Sequence, residues 1–346
     1  HEIQQLRKTH EDRIQDVFTK EVPGLNYLQE FNAEQLASIP VDASEEDILR
    51  EAAVIHLKNR ASTEREAEDL IARINVNDES IEQIQKECAE RLEKLGRVYA
   101  ADLAQYITGR ASVLHLFSKL LEKGETGKFE YEKTLHSLVF PMRLDDSKQP
   151  EAVSVVNHNL WLFDEKFAFY EYIASDLQLK GHKPLNGASD SIKRPDISIY
   201  FFSDDYVSAV FDSIVIVEFK RPGRTDTGST ELEDPVRQVF GYIDEIRDRM
   251  EDFKGREVPT RENTKFFCYV VCDTQTKHIR NTIVANYSMS ETLDPGGYFG
   301  QFPQRKAYLE LISYRKLLTD AYKRNLAFFR KLRLPENLLK QSLFPD

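Results

Sequence analysis

The hydrophobic period of this chain changes once, near residues 124–133, and that change limits what each half can fold into. Before it, apolar residues recur at three and four, the spacing of one helix face. "SEEDILREAAVIHLKNR" begins with Ser44 as a cap and acids in the first turn. The longer stretch that follows sets Ile81, Ile84, Cys88, Leu92 and Leu95 on one stripe and continues to Leu120. Gly96 and Gly109 are expected breaks in it, so the region reads as two or three helices packed on each other. His56 and His115 are expected as core or flanking residues, since neither has a partner at ligand spacing.

After the change come short apolar or alternating runs: "LHSLVFPMRL", "NLWLFDE", "PDISIYFF", "SIVIVEFK", "KFFCYVVCD" and "KAYLELISY". These are the lengths of strands, separated by turn-like and helical segments. One helix is sharply marked. "DPVRQVFGYIDEIRDRM" offers Asp234 as N-cap, Pro235 at the first helical position and an apolar stripe of Val236, Val239, Phe240, Ile243 and Ile246. A last helix, "YRKLLTDAYKRNLAFFRKL", follows the final strand. The expected organisation is a helical domain over residues 1–128 and a mixed α/β domain over residues 129–346.

With 346 residues, 41% of them hydrophobic, the chain has enough apolar material for a sizeable core. No run has the uninterrupted apolar length of a membrane span, and the first thirty residues carry charge where a signal peptide is apolar, so a cytoplasmic protein with no membrane partner is expected. The chain begins at His1 rather than Met, which suggests a piece of a longer protein with an upstream domain missing. Cys88, Cys268 and Cys272 form no CxxC pair, and two of them lie in an apolar run, so neither a zinc site nor a disulfide framework is supported. The net charge of -11 argues against non-specific coating of nucleic acid, but the charge is unevenly spread. Residues 44–92 hold thirteen acids against seven bases, and residues 304–333 hold nine bases against two acids. The second segment suits either a phosphate-facing surface or a solvated helix face.

Chemistry concentrates in "RPDISIYFFSDDYVSAVFDSIVIVEFKRP". Side chains alternate along a strand, so Glu218 and Lys220 leave the same face while Val217 and Phe219 leave the other. Asp196 precedes Glu218 by the length of a strand, a turn and a return, so pairing of the two strands brings their carboxylates to one point. Two convergent carboxylates repel unless a cation lies between them, and a hard divalent ion with retained waters suits that gap. Lys220 then faces the group under attack, where negative charge develops. The sum is phosphodiester hydrolysis.

These residues resemble the PD-(D/E)xK nuclease superfamily, whose signature is an Asp and a Glu-x-Lys on adjacent strands around magnesium. Gln238 and Tyr242, four apart on one helical face, resemble the QxxxY element of RecB-like nucleases. The resemblance covers about residues 159–273. It implies a restriction-endonuclease-like mixed sheet flanked by helices, catalytic roles for Asp196, Glu218, Lys220, Gln238 and Tyr242, and magnesium, with manganese able to substitute. Such nucleases often add an acid from a helix before the Asp strand; "LWLFDEKFAFYEYIASD" is the expected helix and Glu165 the expected third metal ligand. Lys193, Arg194, Arg221 and Arg224 flank the site and suit phosphate contacts, or else form a neutralising rim.

The arrangement is similar to the Shedu-type nucleases of bacterial antiphage defence. It implies a metal-dependent endonuclease acting on DNA, with the N-terminal helices serving oligomerisation or regulation, and a homo-oligomer is expected. The rival is a catalytically inactive nuclease-fold module that binds nucleic acid or a partner protein. A third reading puts the function in the helices and treats the sheet as a platform.

Overall fold

The structure, a computed structural model, describes residues 2–74, 81–124, 131–145, 158–170, 172–185, 191–202, 211–220, 234–249, 264–334 and 336. It is an α/β protein, with an N-terminal helical region followed by a mixed seven-stranded sheet with helices. Two compact units divide the chain, His1–His115 with Arg324–Asp346 and Leu116–Lys323. No helix among the described residues is long and apolar enough to cross a membrane.

In the first unit, α1 (Glu2–Glu21), α2 (Leu28–Phe31), α3 (Ala33–Ala37), α4 (Glu45–Ile74) and the start of α5 (Ile81–Gly124) follow one another. Phe18, Leu28, Ile48 and Ala52 are fully buried in one cluster to which Ala101 of α5 adds. Ser44 caps α4 as expected: its hydroxyl accepts the Asp47 N–H and the Asp47 carboxylate accepts the Ser44 N–H, each at 3.1 Å. His56 is buried, but it has partners the sequence reading did not supply. Its ring nitrogens lie 2.8 Å from the Tyr27 hydroxyl and 2.9 Å from Asp102 Oδ1. The expected breaks at Gly96 and Gly109 do not occur, because α5 runs unbroken for 44 residues. A glycine inside a helix costs only about 1 kcal/mol relative to alanine, and the long apolar stripe outweighs it.

The second unit holds α6 (Tyr131–Val139), β1 (Tyr172–Ser175), β2 (Ile197–Phe202), β3 (Phe211–Phe219), α7 (Pro235–Arg249), β4 (Lys265–Val271), α8 (Val284–Asn286), β5 (Ser290–Glu291), β6 (Gly297–Phe302), β7 (Ala307–Ile312) and the start of α9 (Tyr314–Lys331). The sheet order is β1-β2-β3-β4-β7-β6-β5. Strands β3, β4 and β7 are mutually parallel, and the flanking pairs are antiparallel. The parallel centre explains the continuous apolar runs of β3 and β4, since a strand covered on both faces has no polar side to alternate. One face carries Ile214, Ile216, Cys268 and Val270 against Val239, Ile243 and Ile246 of α7. On the other face, Phe163 meets Phe219 and Tyr269.

Three expectations fail before β2. The first half of "LHSLVFPMRL" is the end of helix α6 rather than strand, because its buried residues, Leu135, His136, Val139 and Phe140, follow helical spacing. "NLWLFDE" is a 3-10 turn, Leu160–Leu162, and the helix expected to carry Glu165 is a second such turn, Glu165–Ala168, followed by β1. Leu160, Trp161 and Leu162 are buried consecutively, which neither an alternating strand nor a one-sided helix provides. Arg221 and Arg224 lie outside the described residues.

Helix α7 starts where the sequence places it. Asp234 Oδ1 accepts the Arg237 N–H at 2.9 Å, and Oδ2 accepts the Tyr287 hydroxyl at 2.6 Å. Asp234→Ala removes the cap and this tie, and is expected to lower stability by about 1–2 kcal/mol in urea unfolding.

Candidate active site

The register Ile197 opposite Val217 brings Asp196, one residue before β2, level with Glu218 near the end of β3. The two acids belong to antiparallel neighbours, so the hairpin itself positions them. Asp196 Oδ2 accepts the Phe219 N–H at 2.7 Å, which locks one carboxylate oxygen to the β3 backbone. Its side chain is 20% exposed and that of Glu218 only 5%. Burial, and then the charge of Glu218, raise the Asp196 carboxyl well above the ordinary carboxylate range.

Three donors surround Glu218. Lys220 Nζ reaches Oε1 at 2.7 Å and also donates to Gln238 Oε1 at 2.6 Å. Gln238 Nε2 donates to the same Glu218 oxygen at 2.7 Å and to the Tyr242 hydroxyl. The Tyr242 hydroxyl lies 3.3 Å from Glu218 Oε2 and 3.2 Å from the Arg194 carbonyl, two acceptors that share its single proton. Burial, and then Glu218, push the Tyr242 pKa far up, so this hydroxyl keeps its proton. Gln238 and Tyr242 reach the same acid because they stand four apart on α7. Asp196, Glu218, Lys220, Gln238 and Tyr242 therefore meet at one end of the sheet.

Other candidates do not join them. Glu165 sits on a turn flanked by Phe163 and Phe167, which pack on the face opposite Glu218. Among the described residues, no three His, Cys, Asp or Glu side chains gather into a metal-holding group, and Glu165 is not grouped with Asp196 and Glu218. Lys193 Nζ turns to the Gly241 carbonyl at 3.2 Å and to Glu245 at 3.7 Å, both on α7. Arg194 Nε lies 3.1 Å from Asp176 Oδ1. In the basic segment of residues 304–333, Arg305 pairs with Asp244, Lys316 with Asp320, Lys323 with Asp294 and Arg330 with Glu336. Trp161 is a core residue, 3% exposed.

Helix α6 brings residues the sequence reading missed. The charge of Glu132 acts on Asp196, adding to the rise of its pKa. His136, one turn further along, places Nε2 2.9 Å from Ser175 Oγ and Nδ1 3.9 Å from Asp196 Oδ1, and its ring stacks on Phe219. The available signal was an acid and a histidine four apart, hidden because Glu132 falls in the expected domain boundary and His136 in a run that reads as a strand. Tyr314, at the start of α9, donates from its hydroxyl to the Lys220 carbonyl at 2.8 Å and fixes the end of β3.

Burial pushes the His136 pKa down to about 4, so the fold holds a neutral ring. Stability from this group is complete above pH 6.5 and falls as pH drops toward 4, because only the unfolded chain takes the proton. His136→Asn is expected to flatten urea stability between pH 7 and about 4.5 by up to about 3 kcal/mol relative to wild type. Asp196 contributes a slope of opposite sign that both proteins share. An unchanged slope would show that the ring is not buried neutral.

Comparison with family models, with curated proteins and with solved structures found no match to this chain.

Proposed function

We propose that the protein is a metal-dependent nuclease of the PD-(D/E)xK type that hydrolyses DNA phosphodiester bonds, and that its sheet is of the restriction-endonuclease-like kind. The observation that carries this reading is the bridge made by Gln238, whose carbonyl takes Lys220 and whose amide holds Glu218. A surface Glu-Lys pair on a strand needs no such support from a helix.

The donor set fits a hard divalent ion. Two largely buried carboxylates stand level, and like charge helps to raise the Asp196 pKa, a strain that a cation between them relieves. Asp196 and Glu218 would hold magnesium or manganese. Such an ion, when bound, supplies Lewis acidity toward a phosphoryl oxygen. Lys220 offers an ammonium where negative charge builds on the phosphorus oxygens, and a preorganised donor of this kind contributes about 10²–10³ in rate. Gln238 keeps acid and base in fixed relation. Tyr242 ties Glu218 to the backbone of β2's approach through Arg194. The similarity to Shedu-type nucleases extends the proposal to bacterial antiphage defence, and the long amphipathic helices extend it to a homo-oligomer.

Plasmid, linear and single-stranded DNA, and RNA, incubated with the chain in magnesium, manganese or EDTA, test the reading. Metal-dependent cleavage of DNA is expected. Binding without cleavage in any metal would assign the rival, a nuclease-fold binding module. Neither binding nor cleavage would overturn both.

A further inference from the structure

Beside the proposed active site lies a groove of about 380 Å³ lined by Arg143, Asp176, Gln178, Lys180 and Arg194, with three cations against one carboxylate. The carboxylate is the organiser. Asp176 is 7% exposed, and it takes Arg194 Nε on Oδ1 at 3.1 Å and Arg143 Nε on Oδ2 at 3.5 Å. Each guanidinium is thus held at its inner nitrogen. Among the described residues, neither has a partner at its outer Nη groups, and the two side chains are 79% and 53% exposed. Arg143 (φ 60) and Asp176 (φ 52) both adopt the left-handed backbone, which costs a non-glycine residue about 1–2 kcal/mol. Such cost on both walls of one groove is unusual for a surface with no task.

The groove is joined to the reaction centre by backbone. The Asp176 N–H donates to the Asp196 carbonyl at 2.8 Å, and Arg194 stands two residues before Asp196. We propose that Arg143 and Arg194 form a phosphate clamp, with Lys180 at its rim, that grips the DNA backbone next to the bond being cut. Guanidinium forks match phosphate oxygens in a way a lysine does not, and anchoring at Nε presents the fork already oriented. This rests on the nuclease reading and adds to it the place where the flanking strand is held.

The test is DNA affinity of the full chain in EDTA, which blocks cleavage, measured by fluorescence anisotropy over a sodium chloride series. Arg143→Ala with Arg194→Ala is expected to weaken binding about tenfold or more and to reduce the slope of log K against log salt by about 2. Lys180→Ala alone is expected to reduce that slope by about 1. The double Arg→Lys variant, which keeps both charges, is expected to regain the slope and only part of the affinity, a readout that mere misfolding would not produce. Wild-type affinity and slope in the double alanine variant would overturn the clamp and leave the nuclease reading standing. A wild-type chain that binds no DNA would overturn both.

Discussion

Lys220→Met is expected to slow DNA cleavage by at least about 10²–10³-fold, because it removes the ammonium that donates to Glu218 while keeping the aliphatic stem. The same change costs stability. Glu218 is buried, and taking away one member of a buried ion pair costs about 3–5 kcal/mol through the charge left behind. A loss of activity could therefore reflect unfolding alone, and a second variant separates the two. Glu218→Gln with Lys220→Met removes both charges and is expected to return most of the stability in urea unfolding, yet none of the cleavage. A cleavage rate for Lys220→Met within tenfold of wild type would remove Lys220 from the reaction.

Asp196→Asn is expected to abolish cleavage while stabilising the metal-free protein at neutral pH. The sign follows from the raised Asp196 pKa. A carboxyl whose pKa is higher in the fold than in the unfolded chain lends stability that is complete below its ordinary value and lost as pH rises through the folded value. Asparagine keeps an oxygen for the Phe219 N–H and carries no charge to lose. Melting temperature against pH, with and without magnesium, should therefore show three things. The wild type weakens relative to the variant as pH rises from the ordinary aspartate range, magnesium restores it, and magnesium leaves the variant unmoved. An Asn variant that melts below wild type at neutral pH and still responds to magnesium would sink the assignment of Asp196 as a ligand.

The core of this site was legible in the sequence because it is local. Strands β2 and β3 are continuous apolar runs ended by charge, and α7 announces itself with Asp234 and Pro235, so the five clustered residues could be named by number. What was not legible depends on tertiary neighbours. Strand β6, "GYFGQF", has two glycines and is not among the expected strands; it stands as a strand through its antiparallel pairing with β7, and Gly297 sits where an added Cβ would come within 2.8 Å of Thr292 Oγ1. Strand β1 has four residues, too short for a period. The expectation of a helix before it, with Glu165 on it, rests on the family resemblance rather than on a period in the sequence. Helix α6 errs the other way: its Leu135, Leu138 and Val139 run on into Phe140 as a strand-like stretch, which concealed His136, while Glu132 falls in the boundary segment before it.

The two sides of β3 differ in when they become available. On one side β2 is already made and joins it across a hairpin; on the other, β4 is absent until Lys265–Val271 has left the ribosome. For that interval a long apolar strand carrying Glu218 stands as an open edge, the kind of surface that pairs with whatever strand is nearest. Asp196 and Glu218 are thus brought together early, while the site's surroundings come later. The vulnerable moment in the life of this protein is its synthesis, and variants that weaken β4 should show first as poor yield rather than as slow catalysis.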